Sequence, residues 1–433
     1  MKTFKLLFIL TLIATNGTLN HIIAQENIVF DHLTTEDGLS QNDVNAIYQD
    51  HQGFMWFATH DGLNKYDGYE FKVFTPDPNK PGSINSNLVF DILGEENGNL
   101  WIGTTGSGLN YYERSTNRFR SFKHDSNNPS SLISDHISVL KKDQNGYLWV
   151  GTTNGVDRLN LNKSLDSVKF EHISMEHDPI VSNWEQKRIY EVFETSKNQI
   201  LVGGIGGIFK LSRDQYGTPY LKPINKELGL PDNLTVQSIN EDKQNRLIIG
   251  SGLGIYLYPG TQDRTKAERF SVGNFHDVAI DSKNQIWVGS NNGLLLFRAN
   301  SDQTPQLVKR FIYNPLKPNS ITKNIIKSLT IDKTGILWVG TNGGGVSKYD
   351  PERKQFTTIK KTLDSNSLSY DKIRSMFEDS NGTLWIGTEG GGLNMLSEGS
   401  NKYEKFLAFK EVSKPFALSE TVIDNKKTLL IGA

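Results

Sequence analysis

The stretch Asp143-Gln-Asn-Gly-Tyr-Leu-Trp149-Val-Gly-Thr152 decides the fold, because the chain repeats it. Two close copies run from Asp332 to Thr341 and from Asp379 to Thr388. Shorter or altered copies occupy residues 50–58, 95–103, 195–203, 242–250, 281–289 and 424–432. Residue 58 of the first copy and the equivalent residue 432 of the ninth copy are 374 residues apart. This distance contains eight repeat intervals, so the mean period is about 47 residues. A period of this size indicates a solenoid, a propeller or a similar repeat architecture.

Each part of the repeat has the pattern of a short strand or a tight turn. An alternating run such as residues 373–376 precedes the acid, as in a strand with one buried face. The acid followed by Asn-Gly predicts a hairpin turn, whose carboxylate accepts main-chain N–H groups. The Leu-Trp-Val run predicts a second strand, and runs such as 346–349 and 355–359 predict a third and a fourth. The sequence therefore predicts an all-β fold, a β-propeller of four-stranded antiparallel blades.

The number of repeats sets the expected domains. An N-terminal strand at residues 27–33 precedes the first repeat and suits the closing of a ring, since pairing in the last blade removes a free edge. We expect a first seven-bladed propeller over residues 27–349, and over residues 350–433 the first blades of a second propeller, cut short in the ninth repeat. A single eight-bladed ring is the alternative, and the repeat count is compatible with both.

The recurring Trp and acidic residues are expected to be structural, because a feature present in most blades belongs to the scaffold. A Trp at this strand position is suited to filling the space between neighbouring sheets. The structural repeat residues are Trp56, Trp101, Trp149, Trp287, Trp338, Trp385, Asp50, Asp143, Asp332 and Asp379.

Composition excludes several classes of protein and site. The 433 residues contain 47 Lys and Arg against 48 Asp and Glu, so no overall field attracts nucleic acid or an anionic membrane. The chain has no Cys, which excludes disulfides, thiolate metal sites, a cysteine nucleophile and a lipoprotein anchor. The 39 Gly residues and the 10% aromatic content suit many short strands joined by tight turns.

The first residues have the pattern of an export signal. Lys2 and Lys5 precede a short apolar run over residues 6–14, and a small residue, Ala24, precedes a plausible cleavage point. We therefore predict a signal peptide over residues 1–24 and a periplasmic mature chain. Later stretches are too polar to predict a membrane span.

Catalytic and cofactor motifs are absent from the sequence. It contains no GxxxxGK[ST] loop, no HExxH and no GxSxG. The glycine-rich stretch 203–207 superficially resembles a dinucleotide loop, but it occupies the place of the recurring turn between two strands. The nine His residues lack ligand spacing. We predict no catalytic residue, no metal and no cofactor in this chain.

Candidate ligand-binding residues are those that depart from the repeat and fall on loops. Trp184 stands outside the recurring Trp position, among amide and charged residues that include Arg188, and an exposed aromatic of this kind suits stacking on a sugar ring. Its alternative role is packing beneath its own loop. His60 and Asp61 occupy a turn where later repeats have Thr-Gly or Asn-Gly, and Glu389 is a candidate of the same kind. His136 and His276 are weaker candidates.

The phrase Leu-Trp-(Val/Ile)-Gly-Thr-x-x-Gly-(Leu/Val) resembles the two-component regulator propeller repeat. The N-terminal phrase Phe30-Asp-His-Leu-Thr-Thr-Glu-Asp-Gly-Leu-Ser40, with the later Asp61-Gly-Leu-Asn-Lys-Tyr-Asp-Gly68, is similar to the start of the sensor region of hybrid two-component histidine kinases. The resemblance covers residues 27–433.

The resemblance implies two propellers and a β-sandwich outside the inner membrane, followed by a membrane helix, a kinase and a phosphorelay. It also implies an oligosaccharide ligand from polysaccharide breakdown and a homodimer of the full receptor. The chain has nine repeats and ends within one of them, so we expect it to be the N-terminal part of a longer protein; a naturally short paralogue is the alternative.

Two functions are consistent with these features. The first is a non-catalytic, ligand-sensing region of a receptor that passes a ligand-dependent change across the inner membrane. The second is a secreted propeller hydrolase, lyase or lectin that acts on polysaccharide. The sequence lacks a non-repeating acid, base and Arg constellation, which favours the first.

Overall fold

The computed structural model describes residues 28–433 apart from 166–167, 176–187, 261–264, 299–303, 354–358, 363, 398, 401, 407–414, 425 and 433. The chain divides into two compact units, one ending at Pro351 and one running from Glu352 to Ala433. In the described residues helix is confined to a 3-10 turn, Thr35–Asp37, and to α1, Asn225–Leu228. The predicted all-β class is confirmed. Among these residues there is no helix with the length and apolar character needed to cross a membrane. The predicted signal peptide lies outside the described residues.

The first unit consists of four-stranded sheets, the blades, that follow one another along the chain after a short strand β1 (Asp31–Leu33). Blade 1 contains β2 to β5: Val44–Gln49, Met55–Thr59, Gly62–Tyr66 and Phe71–Phe74. Blade 2 contains β6 to β9: Val89–Gly94, Leu100–Thr104, Leu109–Glu113 and Arg118–Phe122. Blade 3 contains β10 to β13: Ile137–Lys142, Tyr147–Thr152, Gly155–Asn160 and Phe170–Met175.

The next three blades have the same order. Blade 4 contains β14 to β17: Ile189–Glu194, Ile200–Gly204, Gly207–Arg213 and Pro219–Pro223. Blade 5 contains β18 to β21: Val236–Glu241, Leu247–Ser251, Ile255–Tyr258 and Glu268–Ser271. Blade 6 contains β22 to β25: Phe275–Ile280, Gln285–Ser290, Gly293–Arg298 and Gln306–Phe311. Within each blade neighbouring strands are antiparallel, as predicted, but the outer strands of blades 3 and 4 also pair in parallel and join those blades into one eight-stranded sheet.

Blade 7 combines the two ends of the unit. Its strands β26 to β28 are Ile326–Ile331, Leu337–Thr341 and Val346–Tyr349. The N-terminal strand β1 pairs with β28 as the fourth strand, with His32 opposite Ser347. Because this strand comes from the start of the chain, it ties blade 7 to blade 1 and removes an open edge.

The first strands of the seven blades form a closed circuit, in which each packs against the next and β26 packs against β2. At the junction of blades 7 and 1, the main-chain N–H of Lys333 donates to Gln49 at 2.8 Å. Between blades 3 and 4, the N–H of Gln144 donates to Glu194 in the same way at 2.9 Å. The closing junction is thus built like a junction between consecutive blades.

The recurring Trp and Asp side chains bind each other. In blade 3 the indole N–H of Trp149, which is fully buried, donates to Asp143 at 2.8 Å, and the other carboxylate oxygen accepts the N–H of Tyr147 at 2.9 Å. The other Trp-bearing repeats have the same indole–carboxylate bond at 2.8 to 3.1 Å. Blade 5 has no Trp at this place, and there Arg246 donates to the buried Asp242 at 2.7 Å. Each bond closes the first turn of a blade over its core.

A second recurring polar position lies in the third strand, where the sequence analysis did not look for one. Asn64 accepts the main-chain N–H of Ser40 at 2.9 Å, and Asp157 accepts that of Ile133 at 2.8 Å. The equivalent residues, each accepting a main-chain N–H of the entering loop, are Asn110, Ser347 and Asn394. All five are buried. They fix the loops that lead into each blade.

The second unit contains one four-stranded sheet and a hairpin. The sheet consists of β29 to β32: Ile373–Glu378, Leu384–Thr388, Gly392–Leu396 and Glu404–Phe406. The hairpin consists of β33 and β34: Ala417–Ile423 and Lys426–Gly432. The N–H of Ser380 donates to Glu420 at 3.0 Å, which repeats the bond between neighbouring blades of the first unit. That these residues begin a second propeller stays a prediction.

Candidate functional site

The direction of the strands gives the first unit two different faces. On one face, here called the upper face, lie the starts of the first strands, the turns between second and third strands, and the loops between blades. The turns that carry the repeated Asp residues lie on the opposite, lower face. Because the lower turns are occupied by scaffold bonds, the non-repeating chemistry is concentrated on the upper face.

Every first strand of the ring carries a β-bulge at the same place, near the upper face. In blade 1, for example, Val44 pairs with Thr59 and Ala46 with Ala58, so Asn45 has no partner on the second strand. A bulge of this kind re-aims a side chain and is common near functional sites. We call the seven bulged residues the bulge ring: Asn45, Phe90, Ser138, Tyr190, Gln237, His276 and Lys327. All seven are half-buried.

Polar members of the bulge ring contact the neighbouring blade. The Lys327 ammonium donates to the Asn45 side-chain oxygen at 3.0 Å, and Asn45 donates in turn to the carbonyl of Val89 at 2.8 Å. His276 lies between two amide side chains, with its Nδ1 2.7 Å from Gln237 and its Nε2 2.7 Å from Asn291. These contacts hold the side chains in place before any ligand arrives, which lowers the entropic cost of binding.

Three blades have an acid directly after the bulged residue: Asp91, Glu191 and Asp277. Asp91 accepts the N–H of Leu140 in the next blade at 2.6 Å, and Asp277 accepts that of Leu329 at 2.7 Å. Burial, opposed by these N–H groups, raises the pKa of Asp91 to about 7 and that of Asp277 to about 6. Burial likewise raises the pKa of Glu191 to about 8. The acids join alternate pairs of blades, and these pKa values leave all three mostly protonated at about pH 5.

Of the residues predicted for ligand binding, His60 and Asp61 lie on the upper face, in the turn between β3 and β4. His60 Nδ1 is 3.9 Å from Asp43 Oδ2. Burial and the nearby Lys327 lower the pKa of His60, and Asp43 opposes them. The other oxygen of Asp43, Oδ1, is buried without a hydrogen-bond partner among the described residues. Asp61 is exposed and adds no such contact.

Arg188 lies on the same face, directly before β14. Its guanidinium carbon is 5.5 Å from the centre of the Tyr190 ring, and its Nε is buried without a partner in the described part of the chain. Arg188 therefore extends the bulge ring at blade 4. Trp184, the aromatic that the sequence favours most, lies outside the described residues, so its role stays a prediction.

The remaining candidates fall in different places. His136 is an exposed residue of the upper face and pairs through its main chain with Thr105, and His276 belongs to the bulge ring. Glu389 belongs to the second unit, where it forms ion pairs with Arg374 at 2.6 Å and Lys372 at 3.6 Å. The structure thus places Glu389 in a local ion pair of that unit rather than in the first-unit site.

Sequence reasoning missed six of the seven bulge-ring residues, namely Asn45, Phe90, Ser138, Tyr190, Gln237 and Lys327. A signal was present in the repeats. The residue type at this place changes from blade to blade, whereas the residue directly before the bulge is apolar in all seven blades. Among the described residues no group of three or more His, Asp or Glu side chains is placed to hold a metal ion.

Known proteins share both the repeat and the fold. Five stretches match the family described as two component regulator propeller, at residues 38–61, 83–106, 131–154, 320–343 and 367–390. Histidine kinase P4 of Formosa agariphila is 48% identical over 59 residues, which cover 14% of this chain and 4% of that protein. The match to that protein is therefore confined to a small part of it.

Solved structures match over most of the chain. The extracellular domain of a protein named as a hybrid two component system of B. thetaiotaomicron is 25% identical with a TM-score of 0.65, covering 87% of this chain and 49% of that one. A second such domain from the same organism, 20% identical with a TM-score of 0.60 over 87% of this chain and 53% of that one, shows the fold alone. The chain spans about half the length of these structures. The predicted resemblance is confirmed: five stretches of the chain match the two-component regulator propeller repeat, and its fold is similar to that of extracellular domains named as parts of hybrid two-component systems.

Proposed function

We propose that this chain is the ligand-sensing, extracytoplasmic region of a hybrid two-component receptor, and that it binds an oligosaccharide at the bulge ring without transforming it. The likeness to extracellular domains of such systems supports the sensor role. The observation that carries the binding proposal is the bulge ring, since it places seven non-repeating side chains on one face of a repeating scaffold. In this proposal the chain lies in the periplasm and signals as part of a homodimeric receptor anchored in the inner membrane.

The chemistry of the bulge ring suits a sugar. Phe90 and Tyr190 offer aromatic faces on which sugar rings stack, and the amides of Asn45 and Gln237 pair with hydroxyl groups. Because Lys327 and His276 already fix these amides, their polar atoms are presented in a defined direction. Such a surface recognises a hydroxylated ring better than an apolar or an extended peptide ligand.

The three acids beneath the bulge ring support a role in binding rather than in catalysis. A glycosidase needs two carboxyl groups that face the scissile bond and are free to exchange protons or to attack. The oxygens of Asp91 and Asp277 instead accept main-chain N–H groups of their own and the next blade, at 2.6 to 2.8 Å. Their role is to join blades, so we propose that the chain is not an enzyme.

Calorimetry of the full chain with a panel of plant and algal oligosaccharides tests the binding site. We expect Tyr190→Ala to weaken binding by about tenfold or more, because it removes a stacking face. The matched control is Tyr216→Ala, since Tyr216 is 84% exposed in a lower-face turn of the same blade. Equal affinity of Tyr190→Ala and Tyr216→Ala for the oligosaccharide would exclude the bulge ring as the binding site. In the same titration, unchanged binding by Trp184→Ala would remove Trp184 from the site.

Two further measurements test the rest of the proposal. Chromatography of the bound oligosaccharide after long incubation should show no shorter or unsaturated product, and turnover would favour a secreted hydrolase or lyase. The coding sequence after codon 433 should continue into a membrane helix and a histidine kinase. An early stop codon there would contradict the receptor role.

A further inference from the structure

Two cations of the upper face have no anionic partner among the residues that the structure describes. Lys327 belongs to blade 7 and Arg188 to blade 4, which is nearly across the ring. In the described part of the chain no carboxylate lies within 4 Å of either cationic group. The Lys327 ammonium donates to the neutral Asn45, and the Arg188 guanidinium faces the Tyr190 ring.

Both cations are partly withdrawn from water, which makes the missing partner costly. Burial lowers the pKa of Lys327, and the nearby Asp43 opposes this only in part. The Nε of Arg188 is buried and has no hydrogen-bond acceptor among the described residues. A cation that is desolvated without an anion is unfavourable, so a bound anion would gain more here than at an exposed Lys or Arg.

The acids below the bulge ring do not cancel this charge. Burial raises the pKa of Asp91 to about 7, that of Glu191 to about 8 and that of Asp277 to about 6, so all three are mostly protonated at about pH 5. The carboxylate oxygens of Asp91 and Asp277 also accept main-chain N–H groups of the next blade. At about pH 5 the field around the bulge ring is therefore set mainly by Lys327 and Arg188, with Asp43 as the opposing carboxylate near Lys327.

The same region also contains acceptors that lack a donor. Asp43 Oδ1 and the hydroxyl of Ser328, which directly follows Lys327, are buried without partners in the described structure. Buried polar atoms are nearly always satisfied by water, by a ligand or by the protein. A ligand that suits both sets of groups must carry negative charge and hydroxyl donors on one framework.

We propose that the ligand of the bulge ring is an acidic oligosaccharide, whose carboxylate or sulfate groups face Lys327 and Arg188 while a ring hydroxyl donates to Asp43. This inference rests on the proposed sugar-binding function and narrows its ligand class. Stacking on Phe90 and Tyr190 is common to neutral and acidic sugars, so the cations decide between them. An amphipathic or purely anionic ligand lacks the hydroxyl donors that Asp43 requires.

Calorimetry of the full chain with matched ligands tests the inference. The probes are neutral galactan and xylan oligosaccharides, oligogalacturonate and oligoglucuronate, and sulfated carrageenan oligosaccharides of similar length. We expect a uronate or a sulfated probe to bind at least about tenfold more tightly than the neutral probes, with an affinity that falls as salt rises. Comparison of the uronate and sulfated arms identifies the acidic group.

Variants assign the effect to the proposed residues. Lys327→Met keeps the apolar stem and removes the charge. It should lower the affinity for the acidic probe by about 10- to 100-fold. Lys327→Arg should keep most of the affinity. Lys323→Met is the control, because Lys323 is an exposed upper-face residue whose ammonium lies 5.4 Å from the Tyr313 ring. Thermal unfolding of each variant shows whether it is folded.

The outcomes separate this inference from the proposed function. If neutral probes bind as tightly as acidic ones, the acidic ligand is excluded and the sugar-binding function stands. If Lys327→Met does not change the affinity for the acidic probe, the proposed contact of the acidic group with Lys327 is wrong and the sugar-binding function again stands. If neither neutral nor acidic probes bind, the proposed function fails together with the inference.

Discussion

Replacing Glu191 by Gln should stabilise the protein at high pH and change its stability little at low pH. Burial raises the pKa of Glu191 to about 8, against 4.5 for an unperturbed Glu. Between these two values the folded protein binds one more proton than the unfolded chain, so the free energy of unfolding falls by about 1.4 kcal/mol per pH unit. The free energy of unfolding of the parent protein is therefore highest below the lower pKa, where Glu191 is protonated in both states. The parent loses this stability as pH rises through the higher pKa.

The structure sets the size of this effect. The interval between pKa 4.5 and about 8 corresponds to a ceiling of about 5 kcal/mol. Glu191 is half-buried by surface area, so contact with water reduces the cost of the charge, and we expect about 2–4 kcal/mol. Lys141 favours the ionised form, whereas Asp91 and Asp277 disfavour it. Gln keeps an oxygen for the facing N–H of Ile239 but cannot ionise.

Urea unfolding of the full chain at about pH 5 and about pH 9 measures the effect. Parent and Glu191→Gln should have similar free energies of unfolding at the lower pH, and the variant should be more stable by about 2–4 kcal/mol at the higher pH. Glu268→Gln, at an exposed residue of blade 5, is the control and should follow the parent at both values. If the difference in the free energy of unfolding between Glu191→Gln and the parent does not change with pH, Glu191 is not held neutral in the folded protein and the reasoning is wrong.

Two further substitutions test the scaffold. Asp143→Ala leaves the buried Trp149 N–H without an acceptor and should lower the free energy of unfolding by about 2–4 kcal/mol in urea titrations. In a Trp149→Phe background the loss should shrink by at least about 1 kcal/mol, and equal losses would contradict the role of the bond. Gly345→Ala, at φ +73°, would place a Cβ against the carbonyl oxygen of Leu33 in the closing strand, whereas Gly343→Ala, at φ +79°, has nothing within 4 Å. The first variant should be less stable than the second by about 2 kcal/mol or more and should be cleaved earlier near residue 33 by limited proteolysis; equal stability and cleavage would show that this contact does not hold the ring closed.

The fold could be predicted because its determinants repeat. The Asp-x-x-Gly turn and the Leu-Trp-Val strand each recur, so a pattern that is weak in one blade becomes decisive over nine copies. The pairing of β1 with β28 follows from a general need to close the ring, and residues 27–33 offered a strand in the right place. The parallel pairing of β13 with β17 had no such basis, because it joins the outer strands of two blades through geometry that the repeat does not encode.

The site was harder to predict, since sequence reasoning looked for departures from the repeat on loops. That approach selected His60 and Arg188, which lie on the upper face of the first unit, and Glu389, which forms an ion pair with Arg374 in the second unit; their roles in ligand binding stay predictions. The bulge ring lies within strands. A bulge leaves no mark in the alternation of apolar and polar residues, so only the pairing of the first two strands shows which residue is displaced.

The bulge ring separates recognition from folding within one repeat. The scaffold bonds rest on the first-turn Asp, on the strand Trp and on the polar residue of the third strand, all of which recur from blade to blade. The bulged residue takes part in none of these bonds, so each blade can carry a different side chain there without losing its core. A ring of seven such positions presents seven variable side chains around one axis, and under the proposed function this arrangement lets one fold recognise different ligands. Lys327 and Arg188, which have no carboxylate within 4 Å among the described residues, are then explained by the proposed acidic ligand and are not needed by the propeller scaffold.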